Sequence, residues 1–382
     1  MDYIYIQNQE KLTQIIPTLS KADYLYIDLE FDKNHFRYGF NLCLMQLSDG
    51  ENCYLIDPID GVDVTSLFPI LENPAIQKVS FAFGEDLRLL HHLGCFAKNI
   101  LDLATVRILL NEEHVSLNKL ISEITGEELP KSQQKSNWCL RPLSDQQLVY
   151  AALDVLYLPE LKNTLIKRVI QEEKMAWVEQ EIEALNQQNW GDENAYIAIP
   201  EKEKRDYTKR EWMRYIALIN FREEIAAKRN RPSYKIIDKS ILTAIAKNPE
   251  KLAEWTYLKR IHPSLRKSEI KERLSKVIDG VNDKIEAEKI DKEAPARTSI
   301  SYDEKTRLRE KRNLVEEIKN DFYLPVKNSL SEKYGSNFAN FVLSNRKIEN
   351  IIKNEIELLP YQQELIENIA KELKLNIPKT SL

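Results

Sequence analysis

No run of about 18 or more apolar residues occurs in the 382-residue chain, so no membrane-spanning helix is expected. The opening segment, MDYIYIQNQEKL, lacks a basic stretch followed by an apolar one, and no secretory signal is expected there. Cysteine is scarce. Cys43, Cys53, Cys95 and Cys139 are scattered without a C-x-x-C spacing, which argues against zinc modules and a disulfide framework and for buried thiols in a reducing cytoplasm. The five histidines show no ligand spacing, so any bound metal is expected on oxygen ligands. Short-period repeats are also missing.

What is present points to more than one folded unit. The length exceeds one ordinary core and suggests two or three domains, and 43% hydrophobic content is enough to build them. The net charge of −5 conceals an asymmetry. Residues 209–284 carry 19 Lys/Arg against 10 Asp/Glu, a balance of +9, leaving −14 for the remainder. A basic module joined to an acidic one suits an enzyme that holds a polyanion beside a carboxylate metal site, although a merely well-solvated helical surface has the same composition.

Strand-like runs YLYIDLEF, LCLMQLSD, CYLIDP and KVSFAF fill the first part of the chain, with Asp49-Gly50 as a hairpin signal. Helical patterns dominate from about 100 onward, including one long polar helix expected over roughly 160–188. Boundaries are expected as an α/β domain over 1–190, a linker over 191–207, a helical domain over 208–285, a second linker over 286–302, and a second helical domain over 303–376.

Asp28 and Glu30 interrupt an apolar strand. Residues i and i+2 share a face, so both carboxylates project together while Ile27, Leu29 and Phe31 point away. Burial of two acids requires a basic partner, exposure to water, or a ligand. Asp86 follows KVSFAFG at the start of a helical pattern, where it reads either as a cap favoured by the helix dipole or as a functional acid. In PLSDQQLVYAALDVLYLPEL, Ser144 and Gln147 form a capping-box pattern. Tyr150 and Asp154 then share one face of an otherwise apolar helix, as a core hydrogen-bonded pair or as part of a site. Clustered carboxylates repel, and hard divalent cations with oxygen ligands relieve the repulsion. Two such ions about 3.5 to 4 Å apart stabilise both oxygens of a phosphodiester displacement.

The order D-x-E, D, Y-x-x-x-D, together with DLEF, LCLMQLSDG, LIDP, GEDLRLL, W-x-x-R-P-L and YAALDVLYL, resembles the DEDDy 3′–5′ exonucleases over about residues 22–165. Within them it is most similar to bacterial ribonuclease D and its eukaryotic exosome-associated relatives. The resemblance implies an α/β ribonuclease H-like domain, a mixed β-sheet flanked by helices, followed by all-α HRDC-type domains. It implies metal ligation by Asp28, Glu30, Asp86 and Asp154, with two Mg²⁺ or Mn²⁺ ions, Asp28 bridging them, and Tyr150 orienting the attacking water. It further implies stepwise release of nucleoside 5′-monophosphates from RNA 3′ ends. Asp102 matches a family acid with a supporting role. Phe81 stands where relatives commonly carry histidine, and Asn137 where they carry aspartate. Neither position is an expected ligand.

Lys131, Trp138 and Arg141 are candidate RNA contacts, with core packing of Trp138 and an ion pair of Arg141 as the alternative. The backbone of Leu29 is expected to approach the RNA end. With NFREEIAAKRNRPSYKIIDKSILTAIAKNPEKLAEW carrying Arg231-Pro232, Asp238, Leu242, Pro249 and Leu252, residues 209–285 resemble the HRDC module, although Lys259-Arg260 stands where its usual glycine would be. The resemblance implies RNA contacts by Arg222, Lys228, Arg229, Arg231 and Lys235, or a purely stabilising role. The expected partners are tRNA precursors and other 3′-extended RNAs. A single-stranded DNA exonuclease and a non-catalytic RNA-binding protein are the competing readings.

Overall fold

The computed structural model describes residues 2–126, 133–188, 190, 199–297 and 301–378. They form two compact units. The first joins 1–30, 42–190 and 301–382; the second joins 31–41 and 191–300.

The first unit is built on a six-stranded mixed sheet, order β1-β4-β3-β2-β5-β6. Its strands are β1 (Ile4–Ile6), β2 (Tyr24–Lys33), β3 (Phe40–Ser48), β4 (Cys53–Ile56), β5 (Gln77–Ser80) and β6 (Ile100–Asp102). β2 pairs parallel to β5 and β5 parallel to β6, while β3 and β4 form the antiparallel hairpin expected at Asp49-Gly50. Gly50 takes a φ of 94° there, a conformation cheap only for glycine. Flanking helices are α1 (Gln9–Leu19), α2 (Gly84–His92), α3 (Leu103–Leu109), α4 (Asp145–Leu156), α5 (Leu158–Gln171) and α6 (Met175–Gln187). β1 and β6 were not legible as strands, because three residues are too few to show an alternation.

The polar helix expected over 160–188 is two helices. The chain turns at Glu173, whose φ is 56°, and Lys174 plugs the break by donating to the Leu109 carbonyl at 2.9 Å and to Glu172 at 2.7 Å. The capping box at the start of α4 is formed, with Ser144 and Gln147 serving each other's backbone amides.

In the second unit, α7 (Lys209–Lys228), α8 (Lys239–Lys247) and α9 (Ser268–Ala287) close over Leu218, Leu242, Trp255 and Leu274. Its 31–41 segment, the tip of the β2–β3 hairpin, is tied in by Tyr38 N–H donating to Asn230 Oδ1 at 3.2 Å and by Tyr234 donating to the His35 carbonyl at 3.1 Å.

The C-terminal helices α10 (Tyr302–Ile318), α11 (Leu324–Tyr334), α12 (Ser336–Val342), α13 (Asn345–Ile352) and α14 (Pro360–Glu372) pack with the sheet unit. Trp177 of α6 stacks on Phe338 at 5.3 Å and on Tyr361 at 5.1 Å between ring centroids. Tyr361 donates to Glu181 at 2.6 Å.

Candidate active site

The period-two geometry of β2 sets Asp28 and Glu30 side by side, and α4 brings Asp154 to them from more than a hundred residues away. One carboxylate oxygen from each of Asp28, Glu30 and Asp154 lies within 4.8 Å of the other two. Glu30 and Asp154 are buried, and Asp28 is half-buried. Tyr150, one turn before Asp154, is buried and donates its hydroxyl to the Asp154 carboxylate.

Asp86 enters from the first turn of α2. It is not the cap, since Phe83 occupies that position. Its side chain is buried, the backbone amides of Leu29 and of Asp86 itself favour its ionised form, and Oδ1 has no partner.

The electrostatics follow from burial first and from mutual repulsion second. Desolvation, then Asp154, Asp86 and Glu30, push Asp28 well above the ordinary carboxylate range. Glu30 is raised by burial and then by Asp154 and Asp86. Asp154 is raised by burial, with the Tyr150 hydrogen bond opposing. Asp86 is raised by burial, with its backbone donors opposing. Carboxylates that raise one another's proton affinity, a buried oxygen without a donor and an all-oxygen set together fit hard divalent cations.

The 3′–5′ exonuclease family matches residues 3–170. Ribonuclease D of Zymomonas mobilis is 31% identical over 284 residues, covering 72% of this chain and 71% of the relative. The chain belongs to the ribonuclease D family. Among solved structures, Escherichia coli ribonuclease D, described as an exoribonuclease involved in structured RNA processing, superposes with a TM-score of 0.68 at 20% identity, over 97% of this chain and 99% of that one. A protein from Bifidobacterium adolescentis superposes with a TM-score of 0.71 at 18% identity, over 98% and 97%. Both likenesses bear on the fold. As a ribonuclease D family member the protein is a 3′–5′ exoribonuclease, and the family implies dependence on divalent metal.

The remaining expected contacts of this ribonuclease D family member divide clearly. Lys131 lies outside the described residues. Trp138 is 2% exposed, with its ring centroid 6.1 Å from that of Tyr150. Arg141 commits all five donors inside the fold: Nε and Nη2 to Asp57, Nη1 to the Trp138 and Leu140 carbonyls at 2.8 and 2.7 Å, and Nη2 also to the Cys43 carbonyl at 2.7 Å. Asp57 is 0% exposed and also accepts from Tyr5. The structure therefore gives Trp138 and Arg141 packing and ion-pair roles, and leaves Arg141 no donor for RNA. Leu29 turns its side chain into the core and its N–H toward the Asp86 and Asp28 carboxylates.

In the second unit, Arg222 is held by Glu223 at 3.0 and 2.9 Å. Lys228, Arg229, Arg231 and Lys235 are exposed. Lys228 pairs with Glu224 at 2.6 Å, Arg229 donates to Ser264, and Arg231 lies 3.0 Å from His262 Nε2. Lys235 lies over the rings of Phe36 and Tyr234 at 5.6 and 5.5 Å. Asp57 is the buried partner of Arg141 that sequence reading missed. LIDP marked a strand end, but its pairing with Arg141 spans 84 residues and leaves no local signal.

Proposed function

We propose that the protein shortens RNA from its 3′ end, releasing nucleoside 5′-monophosphates, with tRNA precursors and other 3′-extended RNAs as substrates. The observation that carries this reading is the convergence of Asp28, Glu30 and Asp154 within 4.8 Å, with Asp86 raised beside them and Tyr150 bonded to Asp154. Asp28, Glu30, Asp86 and Asp154 would hold two divalent ions, Mg²⁺ or Mn²⁺, with Asp28 shared between them. When bound, such ions stabilise the attacking and leaving oxygens of the displacement. Tyr150 would orient the attacking water through its hydroxyl, and Trp138 backs its ring. Buried walls around Glu30 and Asp154 keep bulk water from screening these charges.

The exposed basic residues Lys228, Arg229, Arg231 and Lys235 supply the second unit with phosphate contacts. Burial holds the His262 imidazole below its ordinary value, and the nearby Arg231 and Arg229 lower it further, as a locally positive surface would. A cytoplasmic location fits four free, buried cysteines, of which Cys43 and Cys139 touch at 3.3 Å as thiols. Among the described residues no helix is long and apolar enough to cross a membrane.

The test is hydrolysis of matched 3′-hydroxyl RNA and DNA oligonucleotides with Mg²⁺ or Mn²⁺. Stepwise shortening of RNA, abolished by Asp28→Asn in a protein that still folds, is the expected result. Unchanged activity in that variant refutes the site, and preferential loss of the DNA refutes the substrate class.

A further inference from the structure

Asp102 stands apart from the four carboxylates that would hold metal, yet it is the most heavily hydrogen-bonded acid near them. Its register partner is Ser80, so it ends β6 directly beside the end of β5. From there Oδ1 accepts from the N–H of Ala82 at 2.8 Å and of Ala104 at 2.9 Å, and Oδ2 accepts from the N–H of Phe83 at 3.3 Å. The Ala104 amide belongs to the first turn of α3, for which Asp102 is the cap. The other two belong to the turn that carries the chain from β5 into α2.

That turn is strained. Ala82 has a φ of 57°, a left-handed conformation that a residue with a Cβ adopts at a cost. Phe83 follows as the cap position of α2, and Asp86 lies in that helix's first turn. A turn held by two amides on one carboxylate fixes where α2 begins, and hence where Asp86 points. An ordinary α3 cap requires only the Ala104 contact, so the grip on Ala82 and Phe83 calls for a separate explanation.

We propose that Asp102 is a positioning residue for metal binding: its carboxylate clamps the Ala82–Phe83 turn and so aims Asp86 at the cation site. The proposal rests on the metal-site reading above. The same carboxylate, gripping α3 through Ala104, locks α2 and α3 to a common anchor. A metal-supporting contact of this kind is worth about 10- to 100-fold in metal affinity.

The experiment is a double-mutant cycle on Mn²⁺ binding to the full-length protein, followed by titration calorimetry with Mn²⁺ alone. Asp102→Asn keeps the size of the side chain but turns a donor toward one of the amides. It is expected to weaken Mn²⁺ binding about tenfold. Asp86→Asn should weaken it as well, and the double variant should bind no more weakly than Asp86→Asn. Additive losses overturn the clamp while leaving Asp86 as a ligand. Unchanged binding in Asp86→Asn overturns the ligand assignment, and the clamp with it. A purely structural Asp102 would lower the melting temperature and leave the Mn²⁺ affinity of the folded protein unmoved. Should Asp102→Asn fail to fold, Asp102→Ser carries the test: serine keeps an acceptor for the α3 cap but has one oxygen and cannot also hold the Ala82–Phe83 turn, so the folded variant should bind Mn²⁺ about tenfold more weakly, and wild-type affinity overturns the proposal.

Discussion

The Tyr150 hydroxyl donates to the carboxylate of Asp154, the residue one turn further along the same helix. The tyrosine ring lies against Trp138, so removing the hydroxyl leaves the packing in place. Tyr150→Phe is therefore expected to lower kcat by about 10²-fold or more, the scale of a lost acid–base or water-orienting group. Its melting temperature should remain near wild type. Single-turnover RNA cleavage beside a thermal melt separates the two quantities, and equal activity would remove Tyr150 from the chemistry.

The acidic cluster predicts a pH dependence of known sign. In the folded, metal-free protein burial raises Asp86 to about 7 and Asp154 to about 8, whereas unfolded aspartate titrates near about 4. Between those values the folded state binds more protons. The stability contributed is fully present at low pH and is lost as pH rises toward 8. Metal-free protein should thus lose melting temperature from pH 5 to pH 8 through these groups, and Asp154→Asn should flatten that slope. Mn²⁺ competes with the protons, so its stabilising effect should be larger at pH 8 than at pH 6. Scanning calorimetry with and without Mn²⁺ reads both trends.

Arg141 and Asp57 make a buried pair in which the arginine is 13% exposed and the aspartate fully enclosed. Truncation to Arg141→Ala strands the Asp57 charge and should cost about 3 to 5 kcal/mol of stability. Urea unfolding measures that cost. RNA affinity, measured where the variant is still folded, should be unchanged.

Gly335, between α11 and α12, has a φ of 91°, and a β-carbon there would fall 1.8 Å from Asn111 Nδ2. The Asn111 side chain cannot simply swing away, because its Oδ1 accepts from the N–H of Asn337 at 3.0 Å. Gly335→Ala is expected to destabilise the protein by about 2 kcal/mol. Hydrogen exchange should rise first over residues 324–342.

Much of this site was readable before the structure. Asp28 and Glu30 were legible because a strand's period of two is a local rule. Tyr150 and Asp154 were legible because helical spacing is another. Asp86 was ambiguous: an acid at a helix start serves the dipole or a site equally well, and only its unpartnered oxygen separates the two. Trp138 and Arg141 were equally ambiguous for the opposite reason. Aromatic and basic residues suit RNA, and only the position of Asp57, 84 residues upstream, assigns the arginine inward. The packing of α10–α14 with the sheet was invisible in the chain. It rests on aromatic contacts such as Trp177 with Tyr361, between segments that share no local pattern.

That aromatic stack has a bearing on proteolysis and on the design of shortened chains. Trp177, Phe338 and Tyr361 cover one another, and Glu181 is desolvated beneath Tyr361 and Gln362. A nick near residue 300 that released the C-terminal helices would bare an indole and a carboxylate adapted to a dry contact. The trimmed nuclease would then be sticky and prone to clump, so a minimal enzyme should be cut from the middle of the chain rather than from its end.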